Sequence, residues 1–137
     1  MQKILFALVF VFLFLCSSAY ADEMRVKISV NNKVLHAVLE DNATSRAIYN
    51  KLPLKLFMQD LYSREMCYNF NESFKTENLR SDNYEVGDLI YWPPMHSFVI
   101  LYKQNGEKFR RQHLGKVLSG VEIFETTGDA EVLFEAE

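Results

Sequence analysis

The chain has few glycines, which form phosphate-binding loops, and few cysteines, which form disulfide frameworks. It contains five glycines, three prolines and two cysteines among 137 residues. No glycine-rich phosphate loop appears, and the nucleophile motif G-x-S-x-G is also absent. These absences argue against a nucleotide-binding protein and against a serine hydrolase of that type.

Basic residues are also too few to cover a nucleic-acid surface. The chain has 15 Lys and Arg residues against 18 Asp and Glu residues, giving a formal net charge of −3. The one basic cluster, Lys108, Arg110 and Arg111, lies beside a predicted hairpin, where such runs are usually solvated. Because nucleic-acid binding needs clustered Lys and Arg, the sequence predicts no nucleic-acid partner.

Metal ligands occur singly. None of the soft or borderline donors pairs at a recognised spacing such as His-x-x-x-His or paired Cys. The sequence therefore predicts no metal site and no cofactor, and it favours core roles for the methionines. The donors considered are His36, His96, His113, Cys67, Met58, Met66 and Met95.

The first 21 residues have the pattern of a signal peptide. Lys3 is followed by an uninterrupted apolar run, residues 4–15, and then by small residues with Ala19 and Ala21 in an A-x-A arrangement. The run is shorter than the roughly 20 residues of a spanning helix, which argues against a membrane anchor. A lipoprotein reading would use Cys16, but it would need a small residue before that cysteine, where the chain has leucine.

We therefore expect cleavage before Asp22 and export to the periplasm or beyond, with no stable membrane insertion afterwards. The remaining residues, 22–137, have the length of one domain. Cys67 is then the single cysteine, so no internal disulfide is expected. Its predicted role is that of a small buried apolar residue.

Short strands dominate the pattern after the signal segment. Residues 24–30 alternate apolar and polar, which predicts a half-buried strand with Met24, Val26, Ile28 and Val30 facing the core. A turn at residues 31–33 leads to a second strand. Asp41 or Asn42 then caps a helix with Ala43, Ala47, Ile48 and Leu52 at helical spacing, ended by Pro53.

The later part of the chain reads as further short strands separated by turns. A polar loop spans residues 71–83, and Asn105-Gly106 predicts a hairpin whose return strand is residues 108–112. One or two helical turns are expected at residues 118–124. The other predicted strands are residues 54–61, 66–70, 89–92, 97–101, 114–117 and 130–135. About eight short strands with one or two small helices predict a mainly β barrel or sandwich.

Several short motifs resemble the small bacterial cyclophilin-like proteins. They are Leu52-Pro53-Leu54, Gly87-Asp88-Leu89-Ile90-Tyr91, Trp92-Pro93-Pro94 and His113-Leu114-Gly115-Lys116-Val117. The resemblance covers residues 24–135. It implies a small closed cyclophilin-like β-barrel of about eight strands with one or two short helices.

The resemblance does not carry over a catalytic residue. Cyclophilin isomerases are held to use an arginine near the proline nitrogen to ease rotation about a bond whose barrier is about 18–20 kcal/mol. The matching segment here, Tyr68-Asn69-Phe70-Asn71, has no arginine, and Arg111 stands where the family's pocket histidine would be. The family tryptophan of the preceding loop is missing as well.

We therefore expect a non-catalytic module that binds a peptide, a small apolar ligand or an envelope protein. The rigid Pro93-Pro94 corner carries Trp92 and His96 and is the centre of the predicted groove. Trp92 fits a groove wall and a strand-end core position equally well, and His96 fits an exposed loop position better than a ligand contact. The predicted groove residues are Tyr68, Phe70, Tyr91, Trp92, Met95, His96, Phe98 and Arg111.

Two other functions stay open at this point. One is a prolyl isomerase that uses an arginine from elsewhere, with Arg64, Arg80 and Arg111 as candidates. The position of these guanidinium groups relative to the aromatic residues would separate this function from simple binding. The other is an interaction subunit, for which an exposed apolar patch around residues 93–95 would be the sign.

Overall fold

Eight antiparallel strands close into a barrel in a computed structural model that describes residues 23–137. The predicted signal segment lies outside the described residues. Within residues 23–137, no helix has the length and apolar character of a membrane span. The strands are β1 Met24–Val30, β2 Lys33–Leu39, β3 Leu54–Leu61, β4 Glu65–Asn69, β5 Asp88–Trp92, β6 Ser97–Leu101, β7 Gln112–Val117 and β8 Ala130–Ala136. Their spatial order is β1-β2-β7-β5-β6-β4-β3-β8, with β8 pairing back on β1. The closed-barrel prediction is confirmed.

The first hairpin forms as its pattern predicts. Val26, Ile28 and Val30 are buried in the barrel interior, and β1 pairs with β2 in register. Asn31 and Asn32 have φ angles of 47° and 59°, the left-handed conformation that a two-residue hairpin turn requires and that asparagine tolerates. Alternation and turn chemistry therefore agree here.

The helix α1, Ala43–Tyr49, is shorter than its pattern predicts. Asn42 caps it by accepting a 2.9 Å hydrogen bond from the Ser45 backbone N–H. Its buried residues are Thr44, Ser45 and Ile48, so Ile48 alone of the predicted apolar positions in the helix is fully buried. The Ser45 hydroxyl donates to the Leu114 carbonyl at 3.0 Å. Polar contacts to β7, not only apolar spacing, set which face of α1 is buried.

The predicted hairpin at Asn105-Gly106 is wrong. Residues 102–111 form no strand, and β7 pairs with β2 and β5 instead of returning along β6. Side chains hold this segment as a loop: Asn105 Oδ1 accepts from the Glu107 N–H at 3.0 Å, and Gln104 Nε2 donates to the Tyr84 carbonyl at 2.6 Å. Such local bonds compete with a strand ladder.

Two short 3-10 helices complete the fold. The first, Pro93–Met95, is the predicted proline corner and joins β5 to β6. The second, Val121–Glu125, forms in the region where one or two helical turns are expected, residues 118–124.

The main core fills the barrel, and a second, smaller core lies outside it. Interior side chains such as Ile28, Met58 and Phe134 are almost fully buried. The second core consists of Cys67, Tyr84, Ile90, Val99 and Leu101. Neighbouring strands β4, β6 and β5 are therefore apolar on both faces, and this second core positions the candidate site.

Candidate functional site on the outer face of the barrel

The outward side chains of β4, β6 and β5 include several that are apolar and buried. On a barrel face in contact with water, these positions would be polar. Ile90 and Leu101 are 0% exposed and Val99 is 1% exposed. Tyr84 and Phe109 cover one end of this surface, with their ring centroids 5.7 Å apart. The rest of this face borders a cavity.

Strand register arranges the outward side chains in rows across β3, β4, β6 and β5. In the middle row, Gln59 pairs with Cys67, Cys67 with Val99, and Val99 with Ile90. The row on one side ends at Trp92, which is opposite Ser97, and Ser97 is opposite Asn69. The row on the other side contains Leu61, Glu65 and Leu101.

A cavity of about 610 Å³ lies over these rows. The middle row forms its floor, Trp92 and Met95 stand at the proline corner, and Phe109 stands at the opposite end. Its full lining is Gln59, Leu61, Tyr62, Arg64, Glu65, Cys67, Asn69, Ile90, Trp92, Met95, Ser97, Val99, Glu107 and Phe109. An apolar floor with a few convergent polar groups is the usual composition of a ligand site.

The end of the cavity beside Trp92 is polar. Ser97 Oγ donates to Asn69 Oδ1 at 2.6 Å, and the Cys67 thiol donates to the same oxygen at 3.6 Å. Burial raises the pKa of the Cys67 thiol, so Cys67 is held as a neutral thiol. This arrangement offers hydrogen bonds to a ligand and no activated nucleophile.

The opposite end is charged. The guanidinium of Arg64 lies 5.2 Å from the Tyr62 ring centroid and 5.1 Å from that of Phe109. It donates from Nη2 to the buried carboxylate of Glu65 and from Nη1 to Glu107 at 2.8 Å. Burial alone would lower the pKa of Arg64, but the bonds to these carboxylates raise it above its ordinary value. Arg64 is a fixed positive charge.

Only two of the eight predicted groove residues, Trp92 and Met95, line the cavity. Tyr91 and Phe98 face the barrel interior, because each alternates with an outward neighbour along its strand. Tyr68 and Phe70 pack against the same interior core, with their ring centroids 5.1 Å apart. A ligand role for these four residues remains a prediction.

His96 and Arg111 also lie away from the cavity lining. His96 is half-buried, has a φ angle of 54°, and places Nδ1 3.3 Å from the Phe70 carbonyl oxygen. Arg111 is 0% exposed and donates from Nη1 to the Asp82 carbonyl at 2.8 Å. Of the three arginines considered for isomerisation, Arg64 alone lines the cavity.

The sequences of β5 and β6 carry a pattern that is typical of this face. Residues 88–92 and 97–101 are nearly continuous apolar runs, which are typical of strands buried on both faces. That signal identifies Ile90 and Val99 as outer-face residues. It does not identify Gln59, Glu107 or Phe109, which only the barrel closure brings beside them.

Within residues 23–137, no group of three or more His, Cys, Asp or Glu side chains is placed to hold an ion.

Comparison with known proteins decides the family. The family model described as the Cyclophilin-like family matches residues 28–135. The chain belongs to this cyclophilin-like family. The predicted resemblance is therefore confirmed over most of the barrel.

A solved structure has the same fold. It is the solution structure of the hypothetical protein AF2241 from Archaeoglobus fulgidus, with a TM-score of 0.63 and 20% identity. The match covers 84% of this chain and 95% of that one. At this identity the likeness establishes the fold alone. No curated protein matches the chain.

Proposed function

We propose that this cyclophilin-like domain is a binding module whose outer-face cavity takes a short peptide, a small apolar ligand or a segment of an envelope protein. The observation that carries the proposal is a cavity of about 610 Å³ that lies over an apolar floor on the outer face. Ile90 and Val99 bury their side chains on the outer face of the barrel beneath this cavity. That volume lies in the range of small-molecule sites.

The rim of the cavity supports a role in contacting a partner. Tyr62 and Met95 line the cavity and are 74% and 56% exposed. Phe57, two residues before Gln59 on β3, is 61% exposed. Large apolar side chains gathered around a concave surface are typical of interaction sites, whereas single ones scattered elsewhere are ordinary.

Trp92 provides a direct test because it is the single tryptophan of the chain. We expect an N-acetylated Ala-Pro-Phe peptide to change Trp92 fluorescence saturably, because the indole forms part of the cavity wall. Met95→Ala should weaken the binding. Leu118→Ala is a matched control, since Leu118 is 55% exposed but lies outside the cavity. Equal affinities of the two variants and the wild type would argue against this site.

A prolyl isomerase remains the second candidate function, and the position of Arg64 favours it. Arg64 lies at the cavity beside Phe109, so an arginine and an aromatic wall occur together. Its Nη donors already bind Glu65 and Glu107, which leaves the binding function as the better-supported one. Faster cis–trans exchange of the same peptide by exchange NMR, lost in Arg64→Lys, would establish isomerisation.

We also propose that the protein is exported. The support is the signal-like pattern of residues 1–21, followed by a barrel domain that begins directly afterwards. Mass spectrometry of protein recovered from the periplasm or medium of a bacterial host should give a chain that starts at Asp22. Recovery of the uncleaved chain from the cytoplasm would contradict export.

A further inference from the structure

We propose that Glu107 occupies the position on Arg64 where the carboxylate of a ligand binds. The ligands of the cavity would then contain a carboxylate attached to an apolar group. The inference rests on the proposed binding function and specifies the ligand's chemistry. Glu107 would leave Arg64 when such a ligand binds.

Arg64 is a buried donor that the protein itself does not fully use. The residue is 6% exposed and carries five N–H donors. Nη2 binds Glu65 and Nη1 binds Glu107, while Nε is buried without a hydrogen-bond partner among residues 23–137. A guanidinium is best matched by a carboxylate that accepts two parallel hydrogen bonds, and neither glutamate does so here.

The two glutamates differ in how firmly they are held. The Glu65 side chain is 8% exposed and lies on β4, so it is a permanent partner. The Glu107 side chain is 70% exposed and lies on the loop that replaces the predicted hairpin. Because the Glu107 side chain reaches solvent and the Glu65 side chain does not, Glu107 is the partner that another carboxylate can displace.

Charge balance favours an anion at this position. Arg64 and Glu65 neutralise each other, and Glu107 adds one negative charge. Replacing Glu107 by a ligand carboxylate keeps the number of charges around Arg64 unchanged. An apolar ligand that displaced Glu107 would instead leave the Nη1 donor without an acceptor, and an amide oxygen would accept only the weaker hydrogen bond of a neutral group.

The rest of the cavity indicates that the part of the ligand beyond its carboxylate is apolar. Phe109 stacks on the guanidinium at 5.1 Å and also lines the cavity. From this end the floor continues over Val99 and Ile90 towards Trp92. A ligand held by its carboxylate at Arg64 would therefore lay an alkyl or aryl group over the floor. A small organic acid and the C-terminus of a peptide share this chemistry.

The test compares an acid with its amide. 3-Phenylpropionate and 3-phenylpropionamide are titrated into the full-length protein, with Trp92 fluorescence as the readout. The proteins are the wild type, Glu107→Gln and the control Glu85→Gln. Glu85 is 74% exposed and pairs with Lys116 at 2.7 Å outside the cavity, so it matches Glu107 in exposure and pairing.

We expect Glu107→Gln to bind the acid at least about fivefold more tightly than the wild type does, because the competing carboxylate is gone. Binding of the amide should change by less than twofold, and Glu85→Gln should resemble the wild type for both probes. Equal gains for acid and amide would overturn the inference while leaving the binding module intact. Failure of both probes to bind any of the proteins would also overturn it, and the peptide titration would then test the module separately.

A second pair of probes separates the two ligand sources. The N-acetylated Ala-Pro-Phe peptide with a free C-terminus is compared with the same peptide as its C-terminal amide. Tighter binding of the free acid in Glu107→Gln supports the inference with a peptide terminus as ligand. Preference for the acid only in the phenylpropionate pair supports it with a small organic acid.

Discussion

Ser97 donates a hydrogen bond of 2.6 Å from its hydroxyl to Oδ1 of Asn69, across the pairing of β6 with β4. The Cys67 thiol donates to the same oxygen. Because the oxygen is occupied twice, the Asn69 Nδ2 group is the part of this side chain left for a ligand. The polar end of the cavity therefore presents a donor whose orientation is set by two buried neighbours.

Ser97→Ala should loosen this end of the cavity. Ser97 is 3% exposed, and losing its hydrogen bond should lower the free energy of unfolding by about 1 kcal/mol. Urea denaturation of the variant measures the effect. Ser73→Ala is the control, since Ser73 is exposed on the loop before β5. A Ser97→Ala variant as stable as the control would contradict the assigned hydrogen bond.

The Cys67 thiol should react slowly with iodoacetamide at neutral pH. Burial raises its pKa, so less thiolate is present at a given pH than for a free cysteine. The alkylation rate should rise with pH and should still be rising at the ordinary thiol value of 9.0, because the pKa of Cys67 lies above it. Mass spectrometry after timed alkylation measures the rate, and a ligand in the cavity should slow it further. A rate at pH 7 equal to that of free cysteine would be evidence against a buried neutral thiol.

Gly115→Ala should weaken the seam between β7 and β2. A Cβ at this position would lie 2.1 Å from the Val38 carbonyl oxygen, so the strands must separate. We expect a loss of roughly 3 kcal/mol or more in unfolding free energy, at the upper end of overpacking effects.

Gly106→Ala is the comparison for that substitution. Gly106 has a φ angle of 83° but nothing within 4 Å of a new Cβ, so only backbone strain of roughly 1 kcal/mol is expected. Thermal or urea unfolding of both variants gives the two values. Similar losses for the two would show that close approach at β7 is unimportant.

Arg80→Gln should raise the pKa of Asp82. Arg80 donates from Nε and Nη2 to the two Asp82 oxygens at 3.1 and 2.7 Å, and these bonds lower that pKa below its ordinary value of 3.8. A lowered folded-state pKa stabilises the fold above the unfolded value, and this contribution disappears as the pH falls through the folded value. Carboxyl NMR titration of Asp82 measures the shift; an unchanged pKa in the variant would contradict the ion pair.

The barrel could be predicted because its signals are local. The alternation in residues 24–30 determines β1. The two asparagines that follow determine the first turn, and the proline corner determines the first 3-10 helix. The hairpin at Asn105-Gly106 failed because side chains of Gln104 and Asn105 hold a loop, and turn residues alone do not reveal that competition.

The candidate site was less accessible to prediction because it forms between distant strands. Tyr91 and Trp92 are neighbours in sequence but face opposite sides of β5, so aromatic density around the corner did not identify one surface. Arg64 and Glu107 are 43 positions apart and meet only when β4 and the loop before β7 lie side by side. Register and closure, rather than composition, determine this cavity.

The most direct test of binding at the outer face is a methyl chemical-shift map of the protein with the N-acetylated Ala-Pro-Phe peptide. Our account predicts saturable shifts at Leu61, Ile90, Met95 and Val99, which line the cavity. The methyl groups of Val34 and Leu118, which are exposed outside the cavity, should not move. Shifts centred on Val34 or Leu118, with the cavity methyl groups unchanged, would contradict the assignment of the binding site.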